Sequence, residues 1–229
     1  MNVPRAPGVP LRRTRYASHR VARPALVLLA PGAGAPSTSP WMAAWAERLG
    51  TLGDVIRFDY PYMRAGRRSP DRLPVLLEAH RGALATARAG RRGPVVLAGK
   101  SMGARVGCHL ALEEAVDALV CLGYPLRGAR GELRSEVLIA LRPPILFVQG
   151  TRDPLCPLEA LEDVRRRMKA PSTLYQVEGG NHSLELGTRA LRAAGETQAD
   201  VDARALGAIA AFLREHLRPI GPPPAPPAP

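Results

Sequence analysis

The chain has 229 residues, of which 46% are hydrophobic, and it carries a formal net charge of +12. This length fits one domain with a substantial core, and this composition excludes a disordered protein. No apolar run approaches the roughly 18 residues of a membrane span, so we expect a soluble protein without a membrane partner.

The positive charge comes almost entirely from arginine, because Lys100 and Lys169 are the only lysines. An arginine-rich surface binds nucleic acid weakly at low salt. These arginines are scattered, however, and aromatic residues make up only 4% of the chain, so we expect no specific nucleic-acid partner. The three cysteines, Cys108, Cys121 and Cys156, are odd in number and lack metal-type spacing. They indicate a reducing compartment, which we expect to be the cytoplasm.

Two terminal segments lie outside the expected domain, which spans residues 25–218. Residues 1–24 contain six Arg, four Pro and no acidic residue, which indicates a basic arm or a frayed edge strand. The Arg-Arg pair in this arm resembles a twin-Arg export signal, but the apolar run that follows has only six residues, and the first core strand needs them. Residues 219–229 read PIGPPPAPPAP, and proline lacks the N–H donor of helix and sheet, so we predict a Pro-rich disordered tail.

From residue 25 onward, short aliphatic runs alternate with longer amphipathic segments. The runs predict strands at residues 25–30, 55–60, 94–98, 118–124, 145–149 and 173–177, and the amphipathic segments predict helices at 40–50, 72–88, 102–113, 158–169 and 203–217. Continuous apolar runs are typical of strands covered on both faces. The alternation therefore predicts an α/β fold with a doubly wound, mostly parallel sheet, whose site lies beyond the carboxyl ends of the strands.

The segment AGKSMGAR, residues 98–105, is compatible with two different chemistries. Its GKS resembles the end of a phosphate-binding P-loop. That motif, G-x-x-x-x-G-K-[ST], needs a first glycine six residues before the lysine, at position 94. Pro94 occupies that position, and residues 95–98 (VVLA) form a buried strand rather than a turn whose N–H groups surround a phosphate. We therefore reject the P-loop.

The same segment also contains G-x-S-x-G, formed by Gly99, Ser101 and Gly103. A strand precedes it and a helix follows it, which is the context of a nucleophile elbow. The serine of an elbow has a strained backbone, and its glycine neighbours avoid steric clashes. The pattern predicts Ser101 as a nucleophile.

A serine nucleophile needs a base, and His182 is the only histidine in a loop that directly follows a predicted strand. The third residue of a catalytic triad, an acid that orients the histidine, is expected between Ser101 and His182 in sequence, at a strand end. Asp153 meets this condition, although with Pro154 it would also form a simple turn. Glu178 is the alternative acid, but it lies too close to His182 in sequence to orient it easily.

The oxyanion formed during acyl transfer needs two N–H donors. One is expected from Met102 at the start of a helix, where the helix dipole helps. The other is expected from Ala33 in the loop PGAGA, residues 31–35, where Gly32 and Gly34 allow the backbone to approach the substrate.

Several segments together resemble the α/β-hydrolase superfamily, and within it the dienelactone-hydrolase-like group of small predicted hydrolases. They are LVLLAPGAGA, FDYPYMRAGRR, VVLAGKSMGAR, LVCLGYPL, ILFVQGTRDP and VEGGNHSLE, and they span about residues 25–186. The order Ser101, Asp153, His182 is that of the superfamily. Two features depart from the group: Pro31 replaces the His of its HGAGA loop, and the nucleophile is serine rather than the cysteine of true dienelactone hydrolases.

Only about 20 residues separate Tyr124 from Ile145, so we expect an α/β-hydrolase fold without a lid domain and with an open site. The loop after Tyr60 is expected to form one wall, with Tyr62 and Arg67 as candidate substrate contacts. The arginines of this loop either favour an acidic acyl group or are simply solvated.

These features predict a serine hydrolase, of carboxylesterase or thioesterase type, that cleaves a small ester or thioester through an acyl-enzyme. The expected partner is a small-molecule acyl substrate, and we expect no metal, no cofactor, and a monomer or homodimer. The alternative is a catalytically weak module of the same fold that serves in binding or as a scaffold.

Overall fold

The structure is a computed structural model that describes residues 10–14, 25–128 and 130–217. Most of the basic arm and the whole predicted tail at 219–229 lie outside the described residues. The part that is described contains one continuous sheet with helices on both faces.

The sheet has seven strands in the order β1-β3-β2-β4-β5-β6-β7. Their bounds are β1 Leu11–Thr14, β2 Ala25–Ala30, β3 Gly53–Phe58, β4 Val95–Lys100, β5 Ala118–Leu122, β6 Ile145–Gly150 and β7 Ser172–Val177. β1 pairs antiparallel with β3, and every other pair is parallel. The predicted doubly wound, mostly parallel sheet is confirmed.

Eight helices are described, and their burial explains the continuous apolar strands. They are α1 Pro40–Leu49, α2 Pro61–Arg64, α3 Leu73–Arg88, α4 Met102–Leu110, α5 Glu136–Ala140, α6 Leu158–Arg167, α7 Thr188–Ala194 and α8 Gln198–His216. Helices α3 to α6 bury their apolar side chains in one core cluster, and α1 and α8 bury theirs in a second cluster on the opposite face of the sheet. Central strands therefore contribute alternate side chains to two cores, which is why both faces are apolar.

Some element bounds differ from the sequence prediction. α8 begins at Gln198, five residues earlier than predicted, because Thr197 and Asp200 form a reciprocal capping box. α2, α5 and α7 were not predicted, since their four, five and seven residues are too few to show a helical period.

The winding direction of the sheet changes between β2 and β4, which lie side by side although β3 separates them in sequence. In doubly wound sheets, ligands bind at this switch point. In the described residues of the connection from β5 to β6, the elements are α5 and a short bridge between Arg127 and Leu133, so the fold has no lid domain. None of the helices in the described part of the chain combines the length and apolar composition that crossing a membrane requires.

Candidate active site

Ser101 lies in the tight turn between β4 and α4. Its backbone has φ 50° and ψ −115°, a region that non-glycine residues rarely occupy. A Cβ atom on Gly99 would overlap the backbone N of Ala104, and one on Gly103 would lie 2.5 Å from the carbonyl O of Ala30. The two glycines therefore let α4 pack directly against β4 and the end of β2.

His182 connects Ser101 to Asp153 through two hydrogen bonds. Nε2 of His182 lies 2.8 Å from Oγ of Ser101, and Nδ1 lies 2.7 Å from Oδ2 of Asp153. The imidazole side chain is 24% exposed, whereas the carboxylate is fully enclosed. The structure thus brings together three residues that come from the ends of three different strands.

The carboxylate of Asp153 accepts two further hydrogen bonds. Leu155 N donates to Oδ1 at 2.9 Å, so Asp153 also forms the turn expected of an Asp-Pro pair. Gln149 Nε2 donates to Oδ2 at 2.5 Å, and Gln149 Oε1 accepts from the backbone N of Tyr124 at 2.9 Å. The sequence analysis missed Gln149, although an amide that ends an otherwise apolar strand is a signal for such a role.

The alternative acid, Glu178, is placed differently. It is exposed and accepts a hydrogen bond from Oγ1 of Thr151 at 3.3 Å. Nδ1 of His182 is already bonded to the other carboxylate, that of Asp153. The geometry therefore favours Asp153 over Glu178 as the partner of the imidazole.

The two predicted oxyanion donors lie at the ends of neighbouring strands. Ala30 of β2 is in register with Gly99 of β4, so the loop that contains Ala33 begins beside the elbow. Met102 is the first residue of α4, and the first N–H groups of a helix have no acceptor within it. Ala33 and Met102 are both partly exposed, as are Gly32 and, more fully, Gly34.

The buried side chain of Tyr62 supports the loop that contains Ala33. Its side chain is only 1% exposed, and its hydroxyl donates to the carbonyl O of Ala33 at 2.8 Å. Burial, assisted by the nearby carboxylate of Asp71, raises the pKa of Tyr62 to about 12, so the hydroxyl keeps its proton. Asp71 also binds Tyr62 N at 3.0 Å and the exposed guanidinium of Arg67 at 2.6 Å. Of the two candidate substrate contacts, Tyr62 is thus buried against the loop, and Arg67 is exposed and paired with Asp71; their contact with a substrate stays a prediction.

The other end of the loop is fixed as well. Ser37 N donates to Oδ1 of Asp59 at 2.6 Å, and Ser37 O accepts from Arg57 at 2.7 Å. Burial is the main cause of the lowered pKa of Arg57. These bonds and that of Tyr62 fix the loop that Pro31 begins, where the related group often has a histidine.

The three other described histidines, His80, His109 and His216, belong to helices. His80 is buried, with Nδ1 3.2 Å from the hydroxyl of Tyr60, and burial lowers its pKa to about 3. Burial and the nearby charge of Arg105 also lower the pKa of His109. Within residues 10–14, 25–128 and 130–217, no three His, Cys, Asp or Glu side chains are placed to share a metal ion.

Comparison with known proteins gives one family match and many similar folds. A family profile described as an alpha/beta hydrolase domain matches residues 23–214. A serine hydrolase without a lid from Xanthomonas campestris superimposes with a TM-score of 0.69 at 21% identity, covering 94% of this chain and 93% of that one. Est1E from Butyrivibrio proteoclasticus, solved with ferulic acid, superimposes with a TM-score of 0.68 at 16% identity, covering 91% of this chain and 95% of that one. Dienelactone hydrolase from Anabaena variabilis superimposes with a TM-score of 0.65 at 19% identity, covering 92% of this chain and 100% of that one.

Proposed function

The chain belongs to the alpha/beta hydrolase domain family, and from that premise we propose that it is a serine hydrolase acting on a small ester or thioester. The observation that carries the proposal is the unbroken chain of hydrogen bonds from Ser101 Oγ through His182 to Asp153. A serine hydroxyl is a weak nucleophile until a base within hydrogen-bond reach accepts its proton. Here the base is 2.8 Å away and is itself oriented by a buried carboxylate.

In the first half of the proposed reaction, Oγ of Ser101 attacks the carbonyl carbon of the substrate while Nε2 of His182 takes the hydroxyl proton. The carbonyl oxygen becomes an oxyanion, which accepts hydrogen bonds from the N–H groups of Met102 and Ala33. The tetrahedral intermediate then expels the alcohol or thiol, which leaves with the proton from His182. The acyl group remains on Ser101 as an ester.

Water completes the proposed reaction. His182 takes a proton from the water molecule as the water oxygen attacks the acyl carbon. The second tetrahedral intermediate then releases the carboxylic acid, and His182 returns its proton to Oγ of Ser101. The carboxylate of Asp153 accepts the hydrogen bond from Nδ1–H of His182 and stabilises the imidazolium in both halves. The mechanism needs no metal or cofactor.

The open connection after β5 supports a small substrate that enters from solvent, because no lid covers the elbow. We further propose that the protein works in the cytoplasm, since its three cysteines are buried free thiols. Small-molecule acyl compounds are its proposed partners, and the active unit is a monomer or a homodimer.

The test is turnover of two matched substrate panels, short p-nitrophenyl esters and the corresponding acyl thioesters. Three proteins are compared: wild type, Ser101→Ala and Ser135→Ala. Ser135 is a matched control because it precedes α5 and its side chain makes no capping hydrogen bond. We expect wild type and Ser135→Ala to hydrolyse at least one panel, and Ser101→Ala to hydrolyse neither. A folded wild type without turnover of any member would refute the hydrolase and favour the scaffold alternative.

A further inference from the structure

Lys100 lies inside the elbow sequence, yet no step of the mechanism uses it. Its aliphatic stem passes the loop that follows β2, where a Cβ atom on Gly32 would lie 3.2 Å from its Cγ. Its ammonium group donates a hydrogen bond to the carbonyl O of His182. The same ammonium lies 5.3 Å from the ring centroid of Trp41, within range of a cation–π interaction. One side chain of the elbow therefore reaches the loop after β2, Trp41 of α1 and the loop that contains His182.

Trp41 binds the residue that follows His182 in the histidine loop, residues 178–187 between β7 and α7. Its Nε1 donates to the carbonyl O of Ser183 at 3.0 Å, so two successive carbonyls of this loop are bound by Trp41 and Lys100. Gly123, with φ 67°, makes room for the contact: a Cβ there would overlap the carbonyl O of His182 and lie 3.3 Å from the lysine nitrogen.

We infer that Lys100 is a positioning residue: it ties the backbone of His182 to the elbow and thereby sets the position of the imidazole relative to Ser101. The inference rests on the proposed function, because the position of the imidazole matters only if it activates the serine. A misplacement of about 1 Å costs on the order of 100-fold in rate. A single backbone hydrogen bond next to the base can therefore have a large effect on turnover.

The charge of this side chain opposes its burial. Desolvation lowers the pKa of Lys100 to about 8, and the carboxylates of Asp153 and Glu185 partly offset that effect. An uncharged side chain of the same length would be easier to bury. Loss of activity without loss of stability is therefore the signature that separates positioning from a simple structural role.

The test compares Lys100→Met, which keeps the stem and removes the charge, with Lys169→Met, which removes the exposed second lysine. We measure kcat and KM, the rate of fluorophosphonate labelling and the melting temperature. Lys100→Met is expected to lower kcat and labelling by about 10- to 100-fold with KM within about twofold. Its melting temperature should equal or exceed that of wild type. Lys169→Met should match wild type in every measurement.

A pH titration provides a readout besides activity. Trp fluorescence of wild type should change with a midpoint of about pH 8 as Lys100 loses its proton beside Trp41, and Lys100→Met should show no such transition. As the pH rises through about 8 and Lys100 loses its charge, the ratio of the labelling rate of wild type to that of Lys100→Met should fall. Asp153, Glu185 and the imidazole of His182 are the other titratable groups near this ammonium.

The possible failures are distinguishable. If wild type labels readily and Lys100→Met labels at the same rate, the positioning role is refuted and the hydrolase proposal stands. A parallel loss of activity and melting temperature in Lys100→Met would also refute it. If folded wild type neither labels nor turns over substrate, the proposed function itself fails, and the fluorescence transition still reports the contact.

Discussion

Replacing Asp153 by asparagine tests the orientation of the proposed base. Three donors converge on the carboxylate: Leu155 N on Oδ1, and His182 Nδ1 and Gln149 Nε2 on Oδ2. A carboxamide has only one acceptor oxygen, so its NH2 group must face either Leu155 N or the other two donors. Gln149 cannot rotate to relieve the conflict without losing the bond that its Oε1 accepts from Tyr124 N.

The magnitude of the effect follows from the tautomer of the imidazole. The imidazole can change its tautomer, whereas the backbone N–H of Leu155 can only donate, so we expect the NH2 group to face His182. Nδ1 of His182 then becomes an acceptor and Nε2 carries the proton, so Nε2 no longer takes one from Ser101. A wrong tautomer costs on the order of 10⁴ in kcat in a Ser-His-Asp triad. At about 1.4 kcal/mol for each factor of ten, this is roughly 5 kcal/mol of transition-state stabilisation.

The assay is kcat for the best p-nitrophenyl ester, with Glu178→Gln as the matched control and circular dichroism as the check on folding. Asp153→Asn should lose about four orders of magnitude, and Glu178→Gln should stay within about twofold of wild type. If Asp153→Asn kept wild-type activity, or if Glu178→Gln lost as much, the assignment of the orienting carboxylate would be wrong.

Three further predictions concern the supports of the site and of the core. Gly103→Ala should lower the free energy of unfolding in urea by about 1–3 kcal/mol, because the added Cβ would lie 2.5 Å from a backbone oxygen, whereas Gly34→Ala adds its Cβ to open space and should be neutral. Tyr62→Phe removes the bond to Ala33 O and should lower kcat/KM by about tenfold, with a loss of about 1 kcal/mol in stability; unchanged kcat/KM would show that the loop needs no such support. Burial lowers the pKa of His80 from 6.5 to about 3, so below pH 6.5 the unfolded chain binds a proton that the folded chain does not. Stability should therefore fall by about 2 kcal/mol between pH 7 and pH 5, and His80→Phe should lack this component; an equal pH dependence in both proteins would contradict it.

The sequence predicted the elbow and the order of the three site residues because their signals are local. Gly99 and Gly103 have steric causes within one strand–turn–helix unit, and parallel strands bring their carboxyl ends to one edge. Asp153 and His182 each follow such a strand, so their meeting with Ser101 could be expected without knowledge of any contact.

The roles of Lys100, Trp41 and Tyr62 could not be predicted in the same way. Each depends on a hydrogen bond from a strand or helix to a loop that is distant in sequence, 82 residues apart for Lys100 and His182 and 142 for Trp41 and Ser183. Hydrophobic periodicity places elements but does not specify how the loops between them meet. The edge strand β1 was ambiguous for a related reason. Three of its four residues are polar, none is buried, and its partner β3 lies some 40 residues later in the chain.

The central claim is that Ser101 is a nucleophile activated by His182. Its most direct test is intact mass spectrometry of the folded protein after treatment with a fluorophosphonate, which phosphonylates an activated serine and releases fluoride. We predict one adduct per chain, carried by the peptide that contains Ser101, and none in Ser101→Ala. A folded wild type without an adduct, or equal labelling of Ser101→Ala, would contradict the account.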